Sequence, residues 1–205
     1  MSQKKEFLLG DKVKVEFNPA DFISTVTGAS GDDYIGIAMW TGGNRCSPRL
    51  RHISDEILYG SEILTRNCWF CGAVLDGKGN TVKNCLFTKS IILDIDYGKL
   101  GHKRPSPFPD YRSAVDYIYS QSIQPQIIWH TGHGIQMAFI LDETVHFFDK
   151  TKLALYEKHK RCLNRIFRGD DTVSREHLYR MPLSLNIKPD CPAVKGEIIR
   201  WEVEQ

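Results

Sequence analysis

Along this chain, short apolar runs are separated by polar, glycine- and proline-marked breaks, and the runs fall into two periodicities. Residues 34–40 (YIGIAMW) and 85–97 (CLFTKSIILDIDY) are dense in Ile and aromatic side chains, the composition of buried strands. Residues 98–110 (GKLGHKRPSPFPD) carry three prolines and two glycines and read as loop. Beyond it, Tyr111, Ala114, Val115, Ile118 and Tyr119 recur at helical spacing, with Asp110 placed to cap the first turn. Two short strands, 125–131 and 134–142, are expected on either side of a break at Gly132 and Gly134. A second helix is expected over 150–167, with Leu155, Cys162, Leu163, Ile166 and Phe167 on its apolar side. The alternation in EIIRWEVE makes a final strand. Strands and helices mix without regular β-α alternation, which favours an α+β fold over a doubly wound sheet. With no repeat and no low-complexity linker, residues 1–205 are expected to form one domain, with 41–84 an insertion between the first two strands.

Composition narrows the function classes. At 205 residues and 41% hydrophobic the chain can bury a core, and a net charge of +2 excludes a polybasic tail, so any nucleic-acid surface must come from local clustering of Lys and Arg. No apolar run reaches membrane-spanning length, and the first residues lack the apolar stretch of a signal peptide; a cytoplasmic protein without a membrane partner is expected. Four of the six cysteines, Cys46, Cys68, Cys71 and Cys85, crowd together. Cys68-Trp69-Phe70-Cys71-Gly72 has the C-x-x-C-Gly form of a zinc knuckle, with Cys85 and either Cys46 or His52 to complete a tetrahedral structural Zn²⁺ site that would pin the insertion. The competing reading is an apolar strand whose thiols belong to the core.

The sharpest chemical feature is Ile91-Ile92-Leu93-Asp94-Ile95-Asp96-Tyr97. On a strand, i and i+2 share a face, so Asp94 and Asp96 project side by side while Leu93 and Ile95 turn to the core. Paired carboxylates repel unless a cation lies between them, and Mg²⁺ or Mn²⁺ sites use this arrangement. A strand end with two solvated acids is the alternative on these residues alone.

Further motifs follow in order. Trp129-His130-Thr131-Gly132-His133-Gly134-Ile135-Gln136 comes next, and then Asp170-Asp171 ahead of Arg180-Met181-Pro182-Leu183-Ser184-Leu185-Asn186-Ile187-Lys188. Together with Asp94-Ile95-Asp96, this set resembles the archaeo-eukaryotic primase superfamily, in particular its primase-polymerase branch of mobile elements and phage. That family orders an acidic D-x-D or D-x-E pair, a small-residue/His motif often written S-G-x-G-x-H, and a late Asp followed in many members by R-x-P-G-T-x-N-x-K. The resemblance covers roughly residues 34 to 200. It implies an RRM-like catalytic sheet in two small lobes around one cleft.

It also implies roles. Asp94, Asp96 and a third acid would hold two divalent cations, Mg²⁺ or Mn²⁺. Asp170 best fits the spacing for that acid, with its neighbour Asp171 also open; Asp149 looks like a strand-end acid but nothing after it matches. Thr131, Gly132, His133 and Gly134 would meet the triphosphate, His133 as the functional imidazole. Gln136, standing where many relatives carry the last His, would also contact the nucleotide. Arg180 and Lys188, of equal parity in an extended segment, would contact phosphate or template, and Leu183-Ser184 replaces the usual Gly-Thr. His102 and Lys103, just past the acidic pair, would contact the incoming nucleotide. The implied activity is template-directed nucleotidyl transfer, including primer initiation, with single-stranded DNA and nucleoside triphosphates as partners. Relatives work in plasmid and phage replication, repair and CRISPR-associated loci, so further replication or CRISPR-associated domains are expected partners. A metal-dependent nuclease would also want clustered acids, but leaves the Gly-His-Gly and Arg…Lys segments unexplained. A replication-initiator module with a decayed site would be expected to lose an aspartate.

Overall fold

The computed structural model describes residues 17–40, 47–99, 105–170, 174–188 and 191–203. Its frame is one large antiparallel sheet. In chain order the strands are β1 (Tyr34–Trp40), β2 (Arg49–His52), β3 (Asn67–Cys71), β4 (Val74–Leu75), β5 (Cys85–Asp96), β6 (Ile127–His130), β7 (Gly134–His146), β8 (Leu178–Arg180), β9 (Leu185–Asn186), β10 (Val194–Lys195) and β11 (Glu197–Trp201). The helices are α1 (Pro19–Thr27), α2 (Tyr111–Ser120) and α3 (Lys150–Phe167). The sheet runs β11-β6-β7-β5-β4-β1-β3-β8, with β2 beside β1, while β9 and β10 form a separate pair.

Side-chain parity divides the core across this sheet. Ile91, Leu93 and Ile95 of β5 pack with Ala114, Val115 and Ile118 of α2 and with Tyr156 and Phe167 of α3. Ile92 faces the other way, with Ala20, Phe22, Ile23 and Val26 of α1. Phe22 lies edge-on to Phe70 and Trp129, with ring centroids 5.2 and 5.4 Å away, and each such pair adds about 0.5–1.5 kcal/mol beyond the area it buries. The expected strands and both expected helices are present; β7 runs on to His146, and Asp110 caps α2 by accepting from Ser113 N–H at 2.8 Å. Asp149 is likewise a helix cap, accepting from the N–H groups of Thr151 and Lys152.

Within the segment expected as an insertion, β3 is a member of the main sheet, paired with β1 on one side and β8 on the other. Among the described residues, the cysteines follow the competing reading, an apolar strand whose thiols belong to the core, and do not gather as a zinc knuckle. On β3, Cys68 and Cys71 are three residues apart and so face opposite sides, Cys68 with the α1-side core and Cys71 with the α2/α3-side core. Burial pushes the Cys68 thiol up to about 12, which keeps it protonated. Cys71 instead donates to the Cys85 sulfur, a bond that raises its own pKa and lowers that of Cys85. His52 is occupied by the Asp32 carbonyl, 2.6 Å from Nδ1, and Cys46 lies outside the described residues.

Candidate active site

The pairing of β5 with β7 sets the site. Asp94 stands opposite Gln136 and Asp96 opposite Gly134, and β6 brings Trp129 opposite Gln136. Asp94 and Asp96 share the α1 side of the sheet with Ile92, while Leu93 and Ile95 are buried on the other side. Asp94 is partly buried and Asp96 exposed. Burial and the nearby charges of Asp96 and Asp170 raise the Asp94 carboxyl to about 6, against a hydrogen bond from Gln136 and the attraction of Lys188. Asp170 arrives from the far side of β5: its N–H donates to the Asp94 carbonyl at 2.9 Å. That approach depends on Gly169, where a Cβ would lie 3.1 Å from the Asp94 carbonyl oxygen and 2.7 Å from Asn164 Oδ1.

The turn between β6 and β7 closes the next side. Gly132 has φ of 95°, in the left-handed region, and a Cβ there would meet Asn186 Cβ at 2.9 Å. Thr131 donates both its N–H and its hydroxyl to the Gly134 carbonyl, at 2.8 and 3.0 Å, so the hydroxyl expected to serve phosphate braces the turn. At Gly134 a Cβ would lie 2.9 Å from the Ile95 carbonyl and 3.5 Å from Asp96 Oδ1, so any side chain would crowd the carboxylate. His133 is folded inward at 7% exposure. Sequence reasoning gave its neighbour His130 no role. Burial, then the charge of His133, depresses the His130 pKa to about 4, so it is a neutral ring at ordinary pH, hydrogen-bonded through Nε2 to the Tyr97 hydroxyl.

The third side is the segment from Arg180 to Lys188. The Arg180 N–H donates to Gln136 Oε1 at 3.0 Å and its carbonyl accepts from the Trp129 indole at 3.0 Å. Its guanidinium lies over the Trp69 ring, 4.5 Å from the centroid, and Nη1 bonds to Asn67 Oδ1 and, at 2.9 Å, to the Leu185 carbonyl. Asn186, present in the late motif but given no role above, donates from Nδ2 to the Thr131 carbonyl at 2.5 Å, tying this segment to the glycine turn. The motif itself was the signal that could have found it. Lys188 lies near enough to act on Asp94. His102, Lys103 and Asp171 lie outside the described residues.

The substitution at the usual glycine of the late motif has a structural outcome. Leu183 has φ of 61°, the conformation glycine adopts without strain, so the chain makes a left-handed turn here with a residue unsuited to it. Ser184 stabilises it by donating its N–H at 3.3 Å and its hydroxyl at 2.7 Å to the Met181 carbonyl. Leu183→Gly is therefore expected to raise stability by up to about 1 kcal/mol, the relieved strain being partly offset by glycine's greater freedom when unfolded. Chemical denaturation reads this directly; a loss of stability would mean that packing of the Leu183 side chain outweighs the strain.

The acids fit divalent cations in the chemistry of their ligand atoms. All three offer oxygen ligands, burial and then the charges of Asp96 and Asp170 raise the Asp94 carboxyl, a conflict that a cation would relieve, and no bulky group stands between Gly134 and Asp96. Among the described residues, no three Asp, Glu, His or Cys side chains are gathered closely enough to hold a metal ion by themselves. Mg²⁺ sites commonly use one or two carboxylates and leave the remaining positions to water and substrate phosphate.

Comparison with known proteins separates fold from sequence. No family model matches the chain, and no curated protein matches it in sequence. Among solved structures, the chain is similar to the AEP domain of the cyanophage S-2L primase-polymerase, with a TM-score of 0.57 over 83% of each chain at 9% identity. The fold is therefore the α+β archaeo-eukaryotic primase fold, and at that identity the likeness is one of fold alone. No helix among the described residues is long and apolar enough to cross a membrane.

Proposed function

We propose that this chain is the catalytic domain of a DNA primase-polymerase, joining nucleotides on a single-stranded template. The observation that carries the reading is the position of Asp94 and Asp96 at the open end of β5, with Asp170, the Gly132–Gly134 turn and Lys188 gathered around them. Divalent cations held by Asp94, Asp96 and Asp170 would supply charge neutralisation at the triphosphate and activation of the primer hydroxyl. The chain's own part is to hold these carboxylates on a rigid strand, to bring backbone amides at Gly132 and Gly134 close to phosphate oxygens, and to offer the Lys188 ammonium to the remaining negative charge. The buried His133 would reach a phosphate only as a short-range donor from the turn, not as a mobile surface group.

The test is incubation of the purified protein with single-stranded DNA and nucleoside triphosphates, with and without an annealed primer, in Mg²⁺, in Mn²⁺ and in chelator. Metal-dependent products longer than the primer, and new strands without one, are expected. Shortened template would make the protein a nuclease. Binding of DNA with no change in its length would leave a nucleic-acid-binding module.

A further inference from the structure

Gln136 occupies the centre of the site in an unusual way. It is 4% exposed and both ends of its amide are used: Nε2 donates to Asp94 Oδ2 at 3.0 Å and Oε1 accepts from the Arg180 N–H at 3.0 Å. The orientation of the amide follows from its partners, because a backbone N–H only donates and a carboxylate only accepts. The partners come from distant parts of the chain. Asp94 lies directly across the ladder on β5, and Arg180 ends β8, at the far end of the sheet path. Trp129, the β6 neighbour of Gln136, then takes the Arg180 carbonyl, so one residue of β8 is clamped at both backbone groups by side chains from the β6-β7 hairpin.

We propose that Gln136 is a positioning residue for the first carboxylate. It fixes the Asp94 side chain in one orientation and ties that orientation to the segment that carries Lys188. This rests on the metal-dependent reading above, and it differs from the expectation that Gln136 touches nucleotide. A buried amide committed at both ends orients the carboxylate in the manner of an outer-shell partner, and removing such partners typically weakens metal binding or activity by about 10–100-fold. Asp94 without its donor would be free to turn among its rotamers, and the acid pair would no longer be preorganised for a cation.

Gln136→Met keeps the length of the side chain and removes both hydrogen bonds. Mn²⁺ binding to the protein alone, followed by the electron paramagnetic resonance signal of free Mn²⁺, should weaken by about tenfold, in samples shown by circular dichroism to be folded. In primer extension kcat should fall by about tenfold or more, with the KM for nucleotide changed less than about twofold. Unaltered Mn²⁺ binding would overturn the proposal. So would a raised nucleotide KM with kcat unchanged, which would make Gln136 a direct substrate contact. Should the Met variant not fold, Gln136→Asn, still polar but one methylene too short to span both partners, carries the same expectations. The metal titration needs no polymerase activity. Wild-type protein that binds Mn²⁺ through Gln136-supported Asp94 but extends no primer would refute the polymerase reading alone. Active wild-type protein whose Met and Asn variants bind Mn²⁺ normally would refute the positioning role alone.

Discussion

Asp96→Asn and Asp94→Asn are each expected to abolish nucleotide incorporation, by at least about a thousandfold, equivalent to roughly 4 kcal/mol of transition-state stabilisation. The two variants should differ in stability, because only Asp94 is both partly buried and crowded by Asp96 and Asp170. Its carboxyl is raised from 3.8 to about 6, so folding disfavours its ionised form. The resulting destabilisation is absent below about pH 4, where folded and unfolded chains both hold the proton, and grows to full size as pH rises through about 6. Metal-free Asp94→Asn should therefore exceed the wild type by about 1–3 kcal/mol at pH 8, with the gap closing by pH 4. Asparagine keeps an acceptor for Gln136, so the gain is not offset by a lost bond. Thermal melts across that pH range in chelator, alongside primer extension, provide both readouts. Undiminished synthesis by either variant would remove the acids from the reaction, and a stability gap independent of pH would show that ionisation of Asp94 is not its cause.

Arg180→Ala should cost about 3–5 kcal/mol of stability, since it removes charge-assisted bonds and leaves buried acceptors without a donor. The reason lies in where the guanidinium sits. It is 5% exposed, stacked on Trp69, and bonded to Asn67 on β3 and to the Leu185 carbonyl. It thus holds the late motif against the sheet edge, whatever it also offers a substrate. For a chain of this size the melting midpoint should drop on the order of 10 °C. Arg180→Lys should recover only part of this, because an ammonium cannot stack and reach both acceptors as a planar fork does. Nucleotide binding measured well below the lowered midpoint completes the test. A midpoint unchanged in Arg180→Ala, with nucleotide binding weakened, would return Arg180 to the purely phosphate-binding role its motif implies.

Much of the frame could be read locally. The apolar runs that became β1 and β5, the glycine break that opens β7, the helical spacing of α2 and α3, and the Asp110 cap all depend on neighbours a few residues away. So does the shared face of Asp94 and Asp96. α1 carries equally local signals: Asn18 caps it, Pro19 opens it and Gly28, with φ of 78°, closes it. The sequence misled where local pattern and tertiary setting disagree. Cys68 and Cys71 have knuckle spacing, but once Asn67–Cys71 enters the sheet as a strand the pleat sends them to opposite cores. Leu183 stands where glycine is usual, yet the backbone makes a left-handed turn there because Ser184 and the packed segment around it hold that shape. What only the tertiary structure decided is the partner of each polar group. The sequence placed Gln136 and Arg180 in separate motifs with separate substrate roles. The antiparallel register of β5 and β7 and the return of β8 across the sheet instead made them one hydrogen-bonded unit with Asp94. Hydrogen-bond partners far apart in the chain are selected by which groups burial leaves in need of one, and that requirement exists only after the strands have packed.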